Sequence, residues 1–378
     1  MADLLTSHFN IDGDSIVLGP VPVSPFIPGS GNTFPKFVDA IAETAWELWY
    51  FDGVSEDRAA IVIGVTRNAE GRKHGGFKVQ VFGIWPDETT WHRDLYFPES
   101  VVTTAGEAGD VLGVWKDPPK NSSISFQVSA DSSQAKLTFN VPGVVEGSMS
   151  LAALPGNTGL DTHPELGSSV YYVRPIGQAS VTAEMAFYHS ESIDPRKLLL
   201  GSRGGSARGG MDRVWSPFSW PQIMTESYYL RAQVGPYAMQ VMRIFSDVES
   251  GNKPHAVARL YRDGKLICAA QSVVGTGKHE VLEDSLIVSK VYGNPTAPGL
   301  TGTFRDKNNG YVVEFIQGDV DGQRWQFQVR HDRTLWNMPT SAPGPNATGN
   351  TGFVESLVGG LSGEAFIGIG TGGQCELS

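Results

Sequence analysis

Short stretches in which apolar and polar residues alternate with period two, each closed by glycine, proline, asparagine or aspartate, recur along this whole chain. A segment of that kind buries one face only when it pairs with neighbours, so it commits the chain to sheets. Helical periodicity is scarce, and 45 glycines in 378 residues suit many strands joined by turns. Strands are expected at 46–52, 60–66, 76–85, 90–97, 123–128, 135–141, 148–153, 169–175 and 180–188. A second series is expected at 237–245, 256–261, 266–272, 285–290, 299–305, 311–316, 324–331 and 363–370.

The length suggests two domains. Gly201-Ser202-Arg203-Gly204-Gly205-Ser206-Ala207-Arg208-Gly209-Gly210 reads as a linker or as a mobile loop. The expectation is an all-β chain with a β-sandwich or barrel-like lobe over 1–205 and a barrel of lipocalin size over 206–378. A pocket is expected between the two lobes.

Composition narrows the partners. The formal net charge of −11, without a basic run, argues against nucleic acid. No signal-peptide pattern and no apolar run of about 20 residues is visible, so a cytoplasmic chain without membrane insertion is expected. Cys268 and Cys375 are read as free thiols. No phosphate-binding loop, His-Glu-x-x-His, Cys-x-x-Cys or Gly-x-Ser-x-Gly motif occurs. Gly368, Gly370 and Gly373 match Gly-x-Gly-x-x-Gly in form, but no helix follows them. The histidines show no metal-ligand spacing; His74 and His92 either meet across a hairpin or sit in solvated loops. Carboxylates such as Asp87, Glu88, Asp131, Asp319 and Asp321 belong to turns.

What remains is aromatic residues beside hydrogen-bonding ones. Period two places Trp46, Leu48, Tyr50 and Asp52 on one strand face, and Glu47, Trp49 and Phe51 on the other. Each face carries an aromatic and an acid, so neither is a plain solvent face. Lys78, Gln80, Phe82 and Ile84 share a face opposite Val79 and Val81. Gln80 is either a pocket donor or an exposed edge residue. Trp215, Phe218, Trp220, Tyr228 and Tyr229 crowd a proline-rich connection and must pack against something, either as lobe packing or as the wall of an apolar site. Residues 336–350 read as a long irregular loop ending at Asn350, whose amide either directs a hydrogen bond or serves a turn.

Several segments together resemble the fungal decalin-forming Diels–Alderases. They are Trp46-Glu47-Leu48-Trp49-Tyr50-Phe51-Asp52, Gly75-Gly76-Phe77, Tyr171-Tyr172, Ser219-Trp220-Pro221, Gln233-Val234-Gly235-Pro236-Tyr237, Ala258-Arg259-Leu260-Tyr261 and Thr340-Ser341-Ala342-Pro343-Gly344-Pro345. The closing Gly370-Thr371-Gly372-Gly373-Gln374-Cys375-Glu376-Leu377-Ser378 is similar to the trans-decalin synthases of the equisetin and fusarisetin type. The resemblance implies a lipocalin-like pair of β domains and a cofactor-free and metal-free pericyclase. Its substrate would be a linear polyene tetramic acid made by a polyketide synthase–peptide synthetase. It further implies that Trp46, Tyr50, Phe82, Tyr172, Trp220, Tyr229, Trp336 and Thr351 bind substrate, with Asn350, Gln80 and Asp52 as the catalytic polar groups. Within the family that this chain resembles, some members making the opposite decalin configuration carry a lysine where this chain has Asn350 and an acid near the place of Gln80. Two other functions fit the residues: a non-catalytic polyene carrier, or a cofactor-free hydratase or isomerase using Glu47, Asp52 or Glu355 as a buried acid.

Overall fold

The computed structural model describes residues 4–106, 109–156, 166–167, 169–189, 194–201, 205–273, 283–293, 304–318 and 322–377. Most of the expected strand 299–305, together with Asp319 and Asp321, lies outside them. The described residues are mostly strand with almost no helix, as the alternation predicts. The chain divides into two compact units, one made of Met1–Glu165 and Ser169–Ser219, the other of Leu166–Ser168 and Trp220–Ser378.

The division differs from the expected boundary at 205/206. Glycine-rich composition marks residues 201–210 as a linker, yet Ala207–Ser216 is a strand of the first unit. It pairs with Tyr171–Phe187 on one side and Trp46–Ser55 on the other. Its neighbours are remote in sequence, so no local signal announces it.

The first unit is a 13-stranded antiparallel sheet that opens with Leu4–Asn10 paired to Glu99–Ala105. Its core lies on one face. Trp49, Trp115 and Phe126 pack there with ring centroids 5.4–5.8 Å apart. The indole N–H groups of Trp49 and Trp115 donate to the carbonyls of Thr33 and Thr66, so both rings are buried without an orphaned donor.

Glu47 sits within this core, fully buried. One carboxylate oxygen meets Arg67, directly opposite on the neighbouring strand Ala60–Asn68, and the other meets Arg213. The second oxygen also accepts the backbone N–H of Lys36 at 2.9 Å. Arg67 in turn donates to Ser7 and Ser100, and Arg213 to the carbonyls of Leu48, Val214 and Phe34. Burial lowers the Arg67 pKa to about 10 even though Glu47 opposes the shift.

The second unit is a 10-stranded sheet that curls into a lipocalin-like barrel. Asp284 latches it: one carboxylate oxygen accepts the backbone N–H of Ala269 at 2.7 Å, the other that of Gly318 at 2.9 Å. Ala269 lies in the strand at one end of the order and Gly318 follows Asn308–Ile316, third from the other end, and Cys268 Sγ lies 3.6 Å from the Ile316 carbonyl oxygen. Both cysteines are free and buried, and burial pushes each thiol up to about 12.

Removing Glu47 strands two buried arginines, which costs about 3–5 kcal/mol. Glu47→Ala should therefore lower the urea midpoint strongly, with Glu47→Gln intermediate. Equal midpoints for Glu47→Ala and the parent would refute the central role of this carboxylate.

Candidate functional site

In the first unit the expected residues share the sheet face opposite the tryptophan core. Strand register fixes this, because directly paired residues point the same way. Tyr50 pairs with Asp212 on one side and Gly64 on the other, Gly64 pairs with Gln80, and Gln80 with Asp94. The next row runs Gly210, Asp52, Val62, Phe82 and His92. Tyr172 joins the same face beside Val214, which pairs with Leu48. Trp46 stands at the strand's start, and its indole N–H donates to the Phe218 carbonyl at 2.8 Å.

The polar groups of this face are oriented by their neighbours. Asp52 is fully buried, and one of its oxygens accepts the Gly210 N–H at 2.9 Å. Gln80 donates through its amide nitrogen to Asp94 at 3.0 Å, and Asp94 also meets His92 Nε2 at 3.1 Å. Partial burial opposes ionisation of Asp94, but the hydrogen bonds from His92 and Gln80 prevail and hold its carboxyl below the usual range. His92 stacks on Phe82 at 4.6 Å, while His74 stacks on Tyr96. Of the two expectations for His74 and His92, the hairpin meeting is therefore overturned: each packs on a different aromatic ring.

In the second unit, residues 336–350 are not one long loop. The strand Arg324–Pro339 carries Trp336, and Asn350 lies at the start of its partner Gly349–Leu361. One row on the face opposite the barrel core reads Trp336, Gly352, Gly373, Tyr229 and Met242. The two glycines leave room for the flanking rings to lie down. A Cβ at Gly352 would run into the Trp336 ring, and one at Gly373 would lie 2.6 Å from Tyr229 Cε1. Trp336 Nε1 donates to Asn350 Oδ1 at 2.8 Å. The Asn350 amide nitrogen is then the donor end of the side chain.

Trp336 reaches this face through two irregularities. Register shifts fall between His331 and Arg333 and between Thr334 and Trp336. Each reverses the alternation, so the pair restores it. Thr351 departs from expectation. As the next residue along a strand it faces the core side, where its hydroxyl donates to Asn337 Oδ1 at 3.0 Å. Trp220 opens the short helix Trp220–Ile223.

Sequence reading missed the two floor glycines, whose meaning appears only with the strand pairing. Glu355, expected as a buried acid, is indeed buried inside the barrel, but its polar partners there were not anticipated. Tyr228 donates to Glu355 at 3.1 Å, Glu355 meets His331 Nδ1 at 2.9 Å, and the Tyr311 hydroxyl donates to Gln374 at 2.7 Å. Nearer one end, Glu226, Asp306 and Glu376 gather carboxylate oxygens within 4.8 Å. The chain's own cations meet them: Lys290 Nζ lies 2.7 Å from Glu226 and 2.8 Å from Asp306, and Arg305 lies 3.2 Å from Glu376.

In the second unit the Trp336–Gly352–Gly373–Tyr229 row and the Asn350 amide share one sheet face. The chain belongs to the Diels-Alderase-like family, whose model matches residues 7–378. It is 61% identical to Diels-Alderase fsa2 of Fusarium sp. (strain FN080326) over the full length of both chains. It is 57% identical to a Diels-Alderase of Gibberella fujikuroi, covering 98% of each chain. The crystal structure of CghA superposes with a TM-score of 0.92 at 36% identity over 99% of both chains, and CghA has also been solved with Sch210972. A Diels-Alderase of that name, cghA, comes from Chaetomium globosum.

Burial holds the Glu355 carboxyl above its usual range, against hydrogen bonds from His331 and Tyr228. A raised pKa means that the folded state keeps a proton the unfolded chain releases. Its contribution to stability is full below the unfolded value and fades as pH rises through the folded one. Glu355→Gln should therefore flatten the fall in Tm as pH rises above the ordinary glutamate range. An unchanged slope in that variant would assign the dependence to another group.

Proposed function

We propose that this chain is a cytoplasmic, cofactor-free Diels–Alderase. It folds a linear polyene tetramic acid from a polyketide synthase–peptide synthetase so that diene and dienophile meet in an intramolecular [4+2] cycloaddition, giving a trans-decalin. The observation that carries this reading is the Trp336–Gly352–Gly373–Tyr229 floor with the Asn350 amide held at its margin. Relatives called Diels-Alderases over the full chain, and a related structure solved with Sch210972, support it.

A pericyclic step moves electron pairs around a ring and transfers no proton. Its barrier is partly the entropy of folding a flexible chain, and rigid walls can offset about 7–11 kcal/mol of such a cost at most. Trp46, Tyr50, Phe82 and Tyr172 of the first unit and Trp220, Tyr229 and Trp336 of the second are the proposed walls. Thr351 contributes by shaping its strand. Asn350 donates to a carbonyl of the tetramic acid and withdraws electron density from the conjugated alkene; one such donor is worth about 2.7–4 kcal/mol. Gln80 and Asp52 are the proposed polar contacts of the first unit's face. A preference of about 1.4 kcal/mol for one chain fold over another gives tenfold diastereoselectivity.

Purified protein given a linear polyenoyl tetramic acid should produce one decalin diastereomer faster than the spontaneous mixture forms, with little dependence on pH. Asn350→Ala should lower kcat by about 10²-fold. Trp220→Ala should broaden the diastereomer ratio. A product ratio equal to the spontaneous one would make the protein a carrier, and a bell-shaped pH profile would favour acid–base chemistry.

A further inference from the structure

A primary amide beside a substrate carbonyl is useful in only one of its two orientations. With nitrogen forward it donates. Rotated by half a turn it presents oxygen, which repels the same carbonyl. The energetic difference between the two orientations must come from a neighbour that can tell nitrogen from oxygen. For Asn350 that neighbour is Trp336. An indole N–H only donates, so its 2.8 Å contact identifies the Asn350 atom it meets as Oδ1.

The geometry is built to deliver that contact. Trp336 pairs with Gly352, and Asn350 is two residues back along the same strand on the same face. The ring can lie against the strand because Gly352 has no side chain there. Lying flat, it carries Nε1 across to the diagonal position that Asn350 occupies. Gly352, Trp336 and Asn350 thus form one device: a gap, a flat ring and an oriented amide.

We infer that Trp336 is a positioning residue, whose indole N–H fixes the Asn350 amide with its nitrogen presented as donor to the substrate's polar end. The inference rests on the proposed donor role of Asn350, and the experiment separates the two. Kinetics on a linear polyenoyl tetramic acid would be measured for Asn350→Ala, Trp336→Phe, the double variant, and a protein in which benzothienylalanine replaces Trp336. That last analogue keeps the fused ring and loses only the N–H.

The benzothienyl protein should lose about tenfold in kcat with KM, Tm and diastereomer ratio nearly unchanged, the loss expected when one oriented hydrogen bond goes. Trp336→Phe should lose at least as much. Adding Asn350→Ala to Trp336→Phe should cost much less than Asn350→Ala costs alone. If Asn350→Ala alone leaves kcat intact, the donor role itself fails. If Asn350→Ala is costly while the benzothienyl protein keeps full kcat, or if the two losses simply multiply, the positioning role of Trp336 is overturned and the donor role stands.

Discussion

Glu47 is fully buried, and its charge is tolerable only because Arg67 and Arg213 approach both of its oxygens. The arginines need more acceptors than one carboxylate supplies, and they collect them from Ser7, Phe34, Leu48, Ser100 and Val214. One buried charge thereby fixes six parts of the first unit against each other: the first strand, the irregular segment around Phe34, the strand that carries Tyr50 and Asp52, the strand Ala60–Asn68, the strand Glu99–Ala105, and the strand that carries Asp212. The candidate surface is the reverse side of the same strands. Period two makes that coupling unavoidable, since every residue that anchors the core is flanked by residues that face the other way.

The two units build their candidate surfaces by different means. In the first, polar side chains hold one another: Gln80 with Asp94, Asp94 with His92, and Asp52 with the Gly210 backbone. In the second, absence of side chains does the work, because Gly352 and Gly373 let two aromatic rings lie against the sheet. Flat rings over a glycine floor give a large apolar area with little conformational freedom to lose on binding. A surface of that kind selects by shape, which suits a reaction whose outcome depends on how a chain is folded.

Much of this was legible wherever alternation was strong. Residues 46–52 and 76–85 assigned their own faces correctly, and of the aromatics that stand out as costly to solvate, Trp215 and Tyr228 pack in the two cores while Tyr229 joins the Trp336 row. Legibility ended where meaning depends on pairing between distant strands. Gly352 and Gly373 look like ordinary turn-prone glycines until the register places them in one row with Trp336 and Tyr229. Ala207–Ser216 looks like linker until it is seen wedged between two strands. The resemblance implies that Thr351 binds substrate alongside Asn350. Once Gly349–Leu361 is a strand, adjacent residues must part company.

The paired irregularities before Trp336 bear on how such a surface can change over generations. Substitutions at the ring or the amide adjust the surface in small steps. A single-residue change between His331 and Trp336 is a different event: it turns the indole inward, with Asn337 taking its place after a deletion and Leu335 after an insertion. The length of that short segment then constrains the surface as strictly as any side chain, since only a change of two residues together keeps the indole on its face.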